Sequence, residues 1–269
     1  MTDEVPLAGS VGNAGKVFRV GDTVRRPWRP HTPATHALLE HLAQVAPGVA
    51  PVPLGQDEQG REVLGWLAGD VAIPPFPAWS FEDFYLISLG RLLRRIHQAL
   101  EGWQPPLGSV WASELTDPEG GPLIIHADIC PENIVARDGA AIAVLDWEFA
   151  APGRAVWDVV STARLCVPFT HPSRHDPSVP PLGMAEMRRR LHVFLDAYGL
   201  SHEDRLAFPR VAAQRAEVGE RFVRGRVAAG EEAFAARWAT PEGEARLKAE
   251  KDWIAGLPDD VALTAGGRE

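Results

Sequence analysis

Residues 72–79, AIPPFPAW, interrupt the chain with three prolines and separate two parts of different character. Proline lacks a backbone N–H and restricts the residue before it, so neither a helix nor a central strand continues through such a stretch. The part before the break is short and strand-like, and the part after it carries long helical patterns. The break therefore predicts two unequal lobes, residues 1–73 and 74–269.

The first part contains two pairs of strand-like runs around one helix. KVFRV and TVRRP flank Gly21-Asp22, which is a tight-hairpin pattern. A helix is predicted from about Thr35 to Gln44, with Pro33 near its start. Two further strand-like runs flank the turn DEQG at 57–60. The order hairpin, helix, hairpin predicts a small antiparallel sheet lobe with one helix.

The second part is mainly helical. Residues 81–100 carry apolar side chains at a 3.6-residue period, which indicates an amphipathic helix. Two short apolar runs near residues 124 and 144 predict strands. Helical patterns then cover the ranges 156–167, 184–198, 202–236 and 241–256. The fold class predicted is α/β (α+β), with a small N-lobe of antiparallel sheet plus one helix and a larger, mainly helical C-lobe.

Composition narrows the class of partner. The chain is 45% apolar and 23% charged, as in globular proteins, and its net charge of −9 argues against nucleic-acid binding while suiting a cationic small molecule. No apolar run approaches the roughly 20 residues of a membrane span, so no membrane partner is expected. The start MTDEVPLAGS lacks signal-peptide features, and the two cysteines form no disulfide framework. We expect a cytoplasmic protein, either a monomer or a homodimer.

The densest chemistry follows the two apolar runs. His126, Asp128 and Asn133 follow the first run, and Asp146 and Glu148 follow the second. An aspartate at a strand end can orient a substrate hydroxyl or accept its proton, and amide and carboxylate oxygens suit Mg²⁺. Each residue alone is more often a cap or turn residue. Phosphoryl transfer needs positioning, metal-held phosphates and an oriented nucleophile, and one loop and one strand end here could provide all three.

The segments HADICPENIV and VLDWE resemble the aminoglycoside phosphotransferase family of small-molecule kinases. The family's catalytic loop has the form H-G-D-x-x-x-x-N-[IV], with Ala127 here in place of glycine, and its metal strand ends in [IV]-[IL]-D-[WF]-[ED]. The resemblance implies a protein-kinase-like fold and transfer of the γ-phosphate of ATP or GTP, with Mg²⁺, to a small-molecule hydroxyl.

The resemblance also implies residue roles. Asp128 would be the catalytic base and His126 an organiser of its loop. Asn133 and Asp146 would hold Mg²⁺, and Glu148 would add a second acid, linked to the metal through water. Asp158, in AVWDVV, matches an acid that steadies the catalytic region in relatives.

In the N-lobe, the resemblance makes GSVGNAG the loop over the phosphates. The backbone N–H groups of Ser10, Gly12 and Asn13 would contact them. Backbone groups near Trp66 and Leu67 would face adenine. In the C-lobe, the helix pair Glu217 and Glu220 falls where relatives bind acceptors, although a solvated helix face is the simpler interpretation.

The usual lysine of the third strand is missing. Arg25 and Arg26 of TVRRP stand in its place, and Arg25 is favoured by its offset from the apolar strand residue. The following helix has no glutamate at the matching turn, so His36 and Glu40 are the candidate substitutes.

Three functions remain open at this point. The first is inactivation of an aminoglycoside or other antibiotic by phosphorylation. The second is metabolic phosphorylation of an amino alcohol or sugar. The third is a nucleotide-binding pseudokinase with a regulatory role, motivated by the missing lysine–glutamate pair.

Overall fold

The computed structural model describes residues 4–7 and 15–263. Its N-terminal part is a five-stranded antiparallel sheet in the order β1-β2-β3-β5-β4. The strands are β1 (Glu4–Pro6), β2 (Phe18–Val20), β3 (Thr23–Pro27), β4 (Pro53–Gln56) and β5 (Arg61–Gly65). Helix α1 (Thr32–Val45) connects β3 to β4. Both predicted hairpins are present, and the helix begins three residues before the predicted Thr35.

The remainder of the chain is mainly helical and carries two small sheets. One sheet has the order β6-β8-β9 and the other pairs β7 with β10. These strands are β6 (Asp70–Val71), β7 (Leu123–Ile125), β8 (Ile134–Arg137), β9 (Ala140–Val144) and β10 (Ala151–Gly153). The helices are α2 (Asp83–Leu100), α3 (Ala155–Cys166), α4 (Met184–Tyr198), α5 (His202–Ala228), α6 (Glu232–Trp238) and α7 (Pro241–Ala255). The predicted α+β class with a small sheet lobe and a larger helical lobe is confirmed.

Helix α2 is the central element of the helical part. Its apolar stripe is buried against α4 and β9, and the helices approach closely at Gly90, where a Cβ would lie 2.7 Å from the carbonyl oxygen of Phe194. A side chain at that position would push the two helices apart. Glycine is therefore required by the packing, despite its cost of roughly 1 kcal/mol inside a helix.

One hydrophobic core spans both parts of the chain. Leu38 and Leu42 of α1 belong to the same buried cluster as Leu86 and Leu89 of α2. The loop after α1 is also tied to β9, because the N–H of Val144 donates to the carbonyl oxygen of Val49 at 2.8 Å. The lobe division at residue 73 stays a prediction, and the sheet with α1 shares its core with the helical part. Across the described residues, no helix has the length and apolar character that a bilayer span requires.

Candidate active site

The loop after β7 carries Asp128 into a cleft of about 620 Å³. His126, two residues earlier, is 1% exposed and fixes the loop. Its Nδ1 accepts the N–H of Asp128 at 3.3 Å, so Nε2 is the protonated nitrogen, and it donates to the carbonyl oxygen of Leu145 at 2.7 Å. His126 therefore connects the Asp128 loop to the end of β9.

Asp158 of α3 binds the backbone of the same loop. Its carboxylate accepts the N–H of His126 at 2.8 Å and that of Ala127 at 2.7 Å, and its Oδ2 also lies 3.2 Å from Nε2 of His97. Burial alone would raise the pKa of Asp158, but the hydrogen bond and charge of His97 outweigh it, and the pKa lies below its ordinary value. The carboxylate stays ionised and fully bonded, which makes the loop rigid.

Ala127 departs from the family's glycine, and its backbone is left-handed, with φ of 66°. A left-handed residue with a Cβ costs roughly 1–2 kcal/mol. Its methyl group is completely buried, and its N–H is held by Asp158. Burial of a methyl returns about 0.8 kcal/mol, so alanine is tolerated where glycine is usual.

The β8–β9 hairpin brings Asn133 and Asp146 together. Asp138 and Gly139 at its tip both have positive φ, as a two-residue turn with the right twist requires. At the open end, the N–H of Leu145 donates to the carbonyl oxygen of Asn133 at 2.7 Å. Asp146 follows in the left-handed conformation (φ 58°, ψ 63°), beyond the last paired residues. The hairpin register therefore sets these two side chains at neighbouring positions.

The oxygen atoms at the open end of the β8–β9 hairpin suit a magnesium ion that is also held by nucleotide phosphates. The side-chain nitrogen of Asn133 donates to the backbone oxygen of Asp128 at 3.1 Å, which leaves its amide oxygen for a cation. Asp146 and Glu148 supply carboxylates and line the cleft with Asp128. In the described part of the chain, no cluster of three His, Cys, Asp or Glu side chains forms a complete metal cage. Mg²⁺ commonly uses one or two carboxylates together with phosphates and waters, so these residues fit it.

Arg26 of β3 connects the N-terminal sheet to Asp146. Its Nη1 donates to Oδ1 of Asp146 at 2.6 Å, and its Nε donates to Glu62. Glu62 lies directly opposite Arg26 on β5 and also contacts Nε2 of His36, 2.9 Å away. Burial lowers the pKa of Arg26, but the charges of Glu62 and Asp146 outweigh it and raise the pKa above its ordinary value. Arg26 is therefore protonated at neutral pH.

The preference for Arg25 over Arg26 is not supported by the structure. Neighbouring residues of a strand point to opposite faces, and Arg25 donates to Oγ1 of Thr23 at 2.6 Å and lies 3.3 Å from Asp57. The acid that pairs with the arginine was missed altogether. Glu62 comes from β5 rather than α1, His36 supports Glu62, and Glu40 is exposed.

Asp128 is half-buried, and Arg215 of α5 lies 3.9 Å away, measured from Nη2 to Oδ1. Burial raises the pKa of Asp128 above its ordinary value, and the positive charge of Arg215 only partly opposes this. A carboxylate with a raised pKa accepts a proton more readily, as a general base requires. The pKa of the neighbouring Cys130 thiol is also raised by burial, which disfavours a nucleophilic thiolate.

Several predicted contact residues lie elsewhere than expected. Glu217 is exposed, and Glu220 is paired with Arg224 and Lys251, each at 2.9 Å; neither lines the cleft. The residues of α5 that line the cleft lie on another face of the helix, which turns by about 100° per residue; they are Arg215, Gly219, Phe222, Val223 and Arg226.

Of the residues predicted to contact the nucleotide in the N-lobe, some lie within the described part of the chain and some do not. The N–H of Trp66 donates to the carbonyl oxygen of Asp22 at 2.9 Å, and its ring stacks on Arg19, so that N–H is not available to adenine. Leu67 follows outside any strand. Ser10, Gly12 and Asn13 lie outside the described residues.

Comparison with known proteins agrees with this architecture. A sequence profile of the family described as "Phosphotransferase enzyme family" (APH) matches residues 103–208. The trifolitoxin immunity protein of Rhizobium leguminosarum bv. trifolii is 35% identical over 216 residues, which span 77% of this chain and 78% of that protein.

Two solved structures share the fold. A choline/ethanolamine kinase family protein from Mesorhizobium loti superposes with a TM-score of 0.63 at 18% identity, covering 97% of this chain and 90% of the other. The GDP complex of aminoglycoside 2'-phosphotransferase-IIIa superposes with a TM-score of 0.59 at 14% identity, covering 94% of this chain and 93% of the other.

The small antiparallel sheet, the helical lobe and the two acid-bearing loops that meet in one cleft define a small-molecule phosphotransferase with a protein-kinase-like fold. Enzymes of this class transfer a phosphoryl group to a hydroxyl. The chain belongs to the APH phosphotransferase enzyme family, and the resemblance inferred from the sequence is confirmed.

Proposed function

We propose that this protein transfers the γ-phosphate of ATP or GTP to a hydroxyl group of a small molecule, with Mg²⁺ as cofactor. One observation carries the proposal: Asp128, from the loop after β7, and Asp146, from the end of β9, line the same cleft. The Asp128 loop and the Asp146 strand end are fixed to each other by His126.

Each residue has a role that its surroundings support. The ionised Asp128 accepts a hydrogen bond from the acceptor hydroxyl, orients it, and takes its proton as the new O–P bond forms. The carboxylate of Asp146 and the amide oxygen of Asn133 hold the metal, and Glu148 extends this set. Mg²⁺, when bound, neutralises charge on the transferring phosphate. Arg26 keeps Asp146 in place and carries the positive charge that a lysine supplies in other kinases.

The backbone of Leu67 is the proposed contact for adenine. The glycine-containing segment 9–15 is the proposed phosphate-binding loop. The pseudokinase alternative loses its motivation, because Arg26 and Glu62 form a buried ion pair in place of the lysine–glutamate pair.

Two relatives support two candidate classes of acceptor. Similarity to a trifolitoxin immunity protein favours phosphorylation of a growth-inhibiting compound. Fold similarity to a choline/ethanolamine kinase family protein motivates the alternative of a metabolic hydroxyl compound.

An assay of Mg²⁺-dependent nucleotide consumption tests the proposal across aminoglycosides, other antibiotics, amino alcohols and sugars. We expect the wild type to phosphorylate at least one hydroxyl acceptor, and only when Mg²⁺ is present. We expect Asp146→Ala to show a low rate whether or not Mg²⁺ is present. Nucleotide binding with no transfer to any acceptor would contradict the proposal.

A further inference from the structure

Three arginines line the wall of the cleft beside Asp128, and we call them the arginine wall. These are Arg164 in the last turn of α3, Arg174 after α3, and Arg215 of α5. Among the described residues, the shortest distance from any of them to a carboxylate is 3.9 Å. Within the part of the chain that the structure describes, no carboxylate lies within 4.0 Å of the guanidinium group of Arg164 or Arg174, and the nearest to Arg215 is Asp128 at 3.9 Å.

Two of these guanidinium groups carry buried N–H groups with no partner. Nε of Arg164 and Nη1 of Arg215 are both enclosed and make no hydrogen bond. The rest of Arg215 is held in place, since its Nε donates to Oγ of Ser161 at 2.8 Å. Unpaired buried donors are costly, at about 1–3 kcal/mol each, so their retention beside a cleft points to a ligand that accepts from them.

Arg174 is positioned by an aromatic ring rather than by an acid. Its guanidinium carbon lies 4.5 Å from the centre of the Trp238 ring. The buried acid Glu250 accepts through Oε2 from Oγ1 of Thr170 at 2.5 Å and from the N–H of His171 at 2.8 Å, and its Oε1 makes no hydrogen bond to Arg174 or any other described group. Glu250 therefore attracts Arg174 only from beyond ion-pair distance.

The arginines repel one another across the cleft wall. Burial, reinforced by the charge of Arg164, lowers the pKa of Arg174 to about 10 and that of Arg215 to about 9. Both groups remain cationic at neutral pH. An anion bound beside them would reduce this repulsion.

The acids that share the cleft do not offset this wall. Glu114 pairs with Arg226 at 3.5 Å, and Asp176 accepts the N–H and hydroxyl of Ser178. The other four acids, Asp128, Glu132, Asp146 and Glu148, come from the loop after β7 and the end of β9, which form the end of the cleft where transfer would occur. The free charge at the far end of the cleft is therefore positive, although the chain as a whole is acidic.

We propose that the acceptor carries an anionic group, a carboxylate or a phosphate, which binds Arg164 and Arg174 while its hydroxyl lies at Asp128. This inference rests on the proposed function and narrows its acceptor class. It replaces the expectation of a cationic acceptor, since an ammonium group would face unpaired guanidinium groups. Arg215 lies between the proposed anion site and the proposed hydroxyl site, because it is part of the arginine wall and its guanidinium group is 3.9 Å from Asp128.

Anion binding tests the site without a known acceptor. The full chain is saturated with Mg-ADP, so that the nucleotide site is filled, and inorganic phosphate is titrated by calorimetry. The double variant Arg164→Gln/Arg174→Gln is expected to bind phosphate at least about tenfold more weakly than the wild type, since two charge-assisted contacts are lost. Its affinity for Mg-ADP stays within about twofold.

Arg91→Gln is the matched control, because Arg91 is an exposed arginine of α2 outside the cleft. Equal phosphate affinity in the double variant and the control would overturn the anion site. Failure of the wild type to bind Mg-ADP would instead count against the proposed function.

A charge-matched acceptor series provides the second readout. Glycerate and glycerol 3-phosphate offer a carboxylate and a phosphate, whereas glycerol and ethanolamine are neutral and cationic. We expect transfer to the anionic compounds, with an acceptor KM that rises at least about tenfold in the double variant while the KM for ATP is unchanged. Transfer confined to neutral or cationic acceptors would overturn the anionic acceptor and leave the phosphotransferase proposal intact. If none of the four is phosphorylated, the phosphate titration decides.

Discussion

Arg26 and Arg25 are adjacent in sequence and have different surroundings. Arg26 is 8% exposed and contacts Asp146 and Glu62, whereas Arg25 contacts Thr23 and Asp57 on the other face of the sheet. The pair therefore offers a comparison in which charge, residue type and strand are the same and only the face differs.

We expect Arg26→Ala to reduce the rate of phosphoryl transfer by about 100- to 1,000-fold, because it removes the charge that positions Asp146, the carboxylate proposed to hold the metal. It also leaves Glu62 buried with only His36 as a partner, and unfolding is expected to become easier by about 3 kcal/mol. Steady-state kinetics and urea denaturation measure the two effects.

Arg25→Ala is the control, with an expected change in rate of less than about threefold, since Arg25 contacts Thr23 and Asp57 and neither Asp146 nor Glu62. Equal losses of activity in the two variants would contradict the assignment of Arg26.

Sequence reasoning could identify the arginine pair but not choose between its members. The choice depends on which face of β3 meets the cleft, and a strand of five residues with mixed polarity does not reveal its buried face. Glu62 was missed because its contact with Arg26 arises from the pairing of β3 with β5, 36 residues apart. By contrast, the Asp128 loop and Asp146 could be selected as candidates from the sequence, since each sits at a fixed offset within a local motif.

At the scale of elements, Asp158 joins two helices to the loop that carries Asp128. Its carboxylate on α3 accepts from two backbone N–H groups of the loop and contacts His97 of α2. Asp158→Asn replaces an acceptor oxygen by an NH₂ group that faces those donors. We expect a loss of about 3–5 kcal/mol in the free energy of unfolding, as for other broken buried pairs.

The pH dependence of stability has a definite sign. The pKa of Asp158 is depressed in the folded state, so its contribution is present above the unfolded value of about 3.9 and is lost as the pH falls through the folded value. Urea denaturation between about pH 2 and 7 should therefore show a wild-type stability that falls below about pH 4 and a flatter Asp158→Asn profile.

Asp252→Asn is the matched control, because Asp252 forms an exposed ion pair with Lys248. Its effect is expected to stay below about 1 kcal/mol. An Asp158→Asn protein as stable as this control would show that the loop does not depend on Asp158.

The helix patterns were predictable for a different reason from the site. The 184–198 pattern matches α4, since its apolar period is long and regular. The single pattern predicted for 202–236 is divided by a break after Ala228, where Gly230 has positive φ. Such breaks depend on one or two residues, which periodicity averages over.

At the scale of the whole molecule, the sheet lobe and the helical lobe share one core. Leu42 of α1 is fully buried in the cluster that includes α2 and α4. Leu42→Ala is expected to lower the free energy of unfolding by about 2–5 kcal/mol. Because the core is continuous, tryptophan fluorescence and far-ultraviolet circular dichroism should report one coincident transition in both proteins. Two separated transitions would contradict a common core.

The central claim is that Asp128 orients and deprotonates an acceptor hydroxyl beside a metal-bound nucleotide. The most direct test compares phosphoryl transfer and Mg-ADP binding in the wild type and Asp128→Asn, which keeps the side-chain shape. We predict that transfer falls by about 100- to 10,000-fold, as for loss of a general base, while Mg-ADP affinity stays within about twofold. Transfer at the wild-type rate in Asp128→Asn would contradict the account.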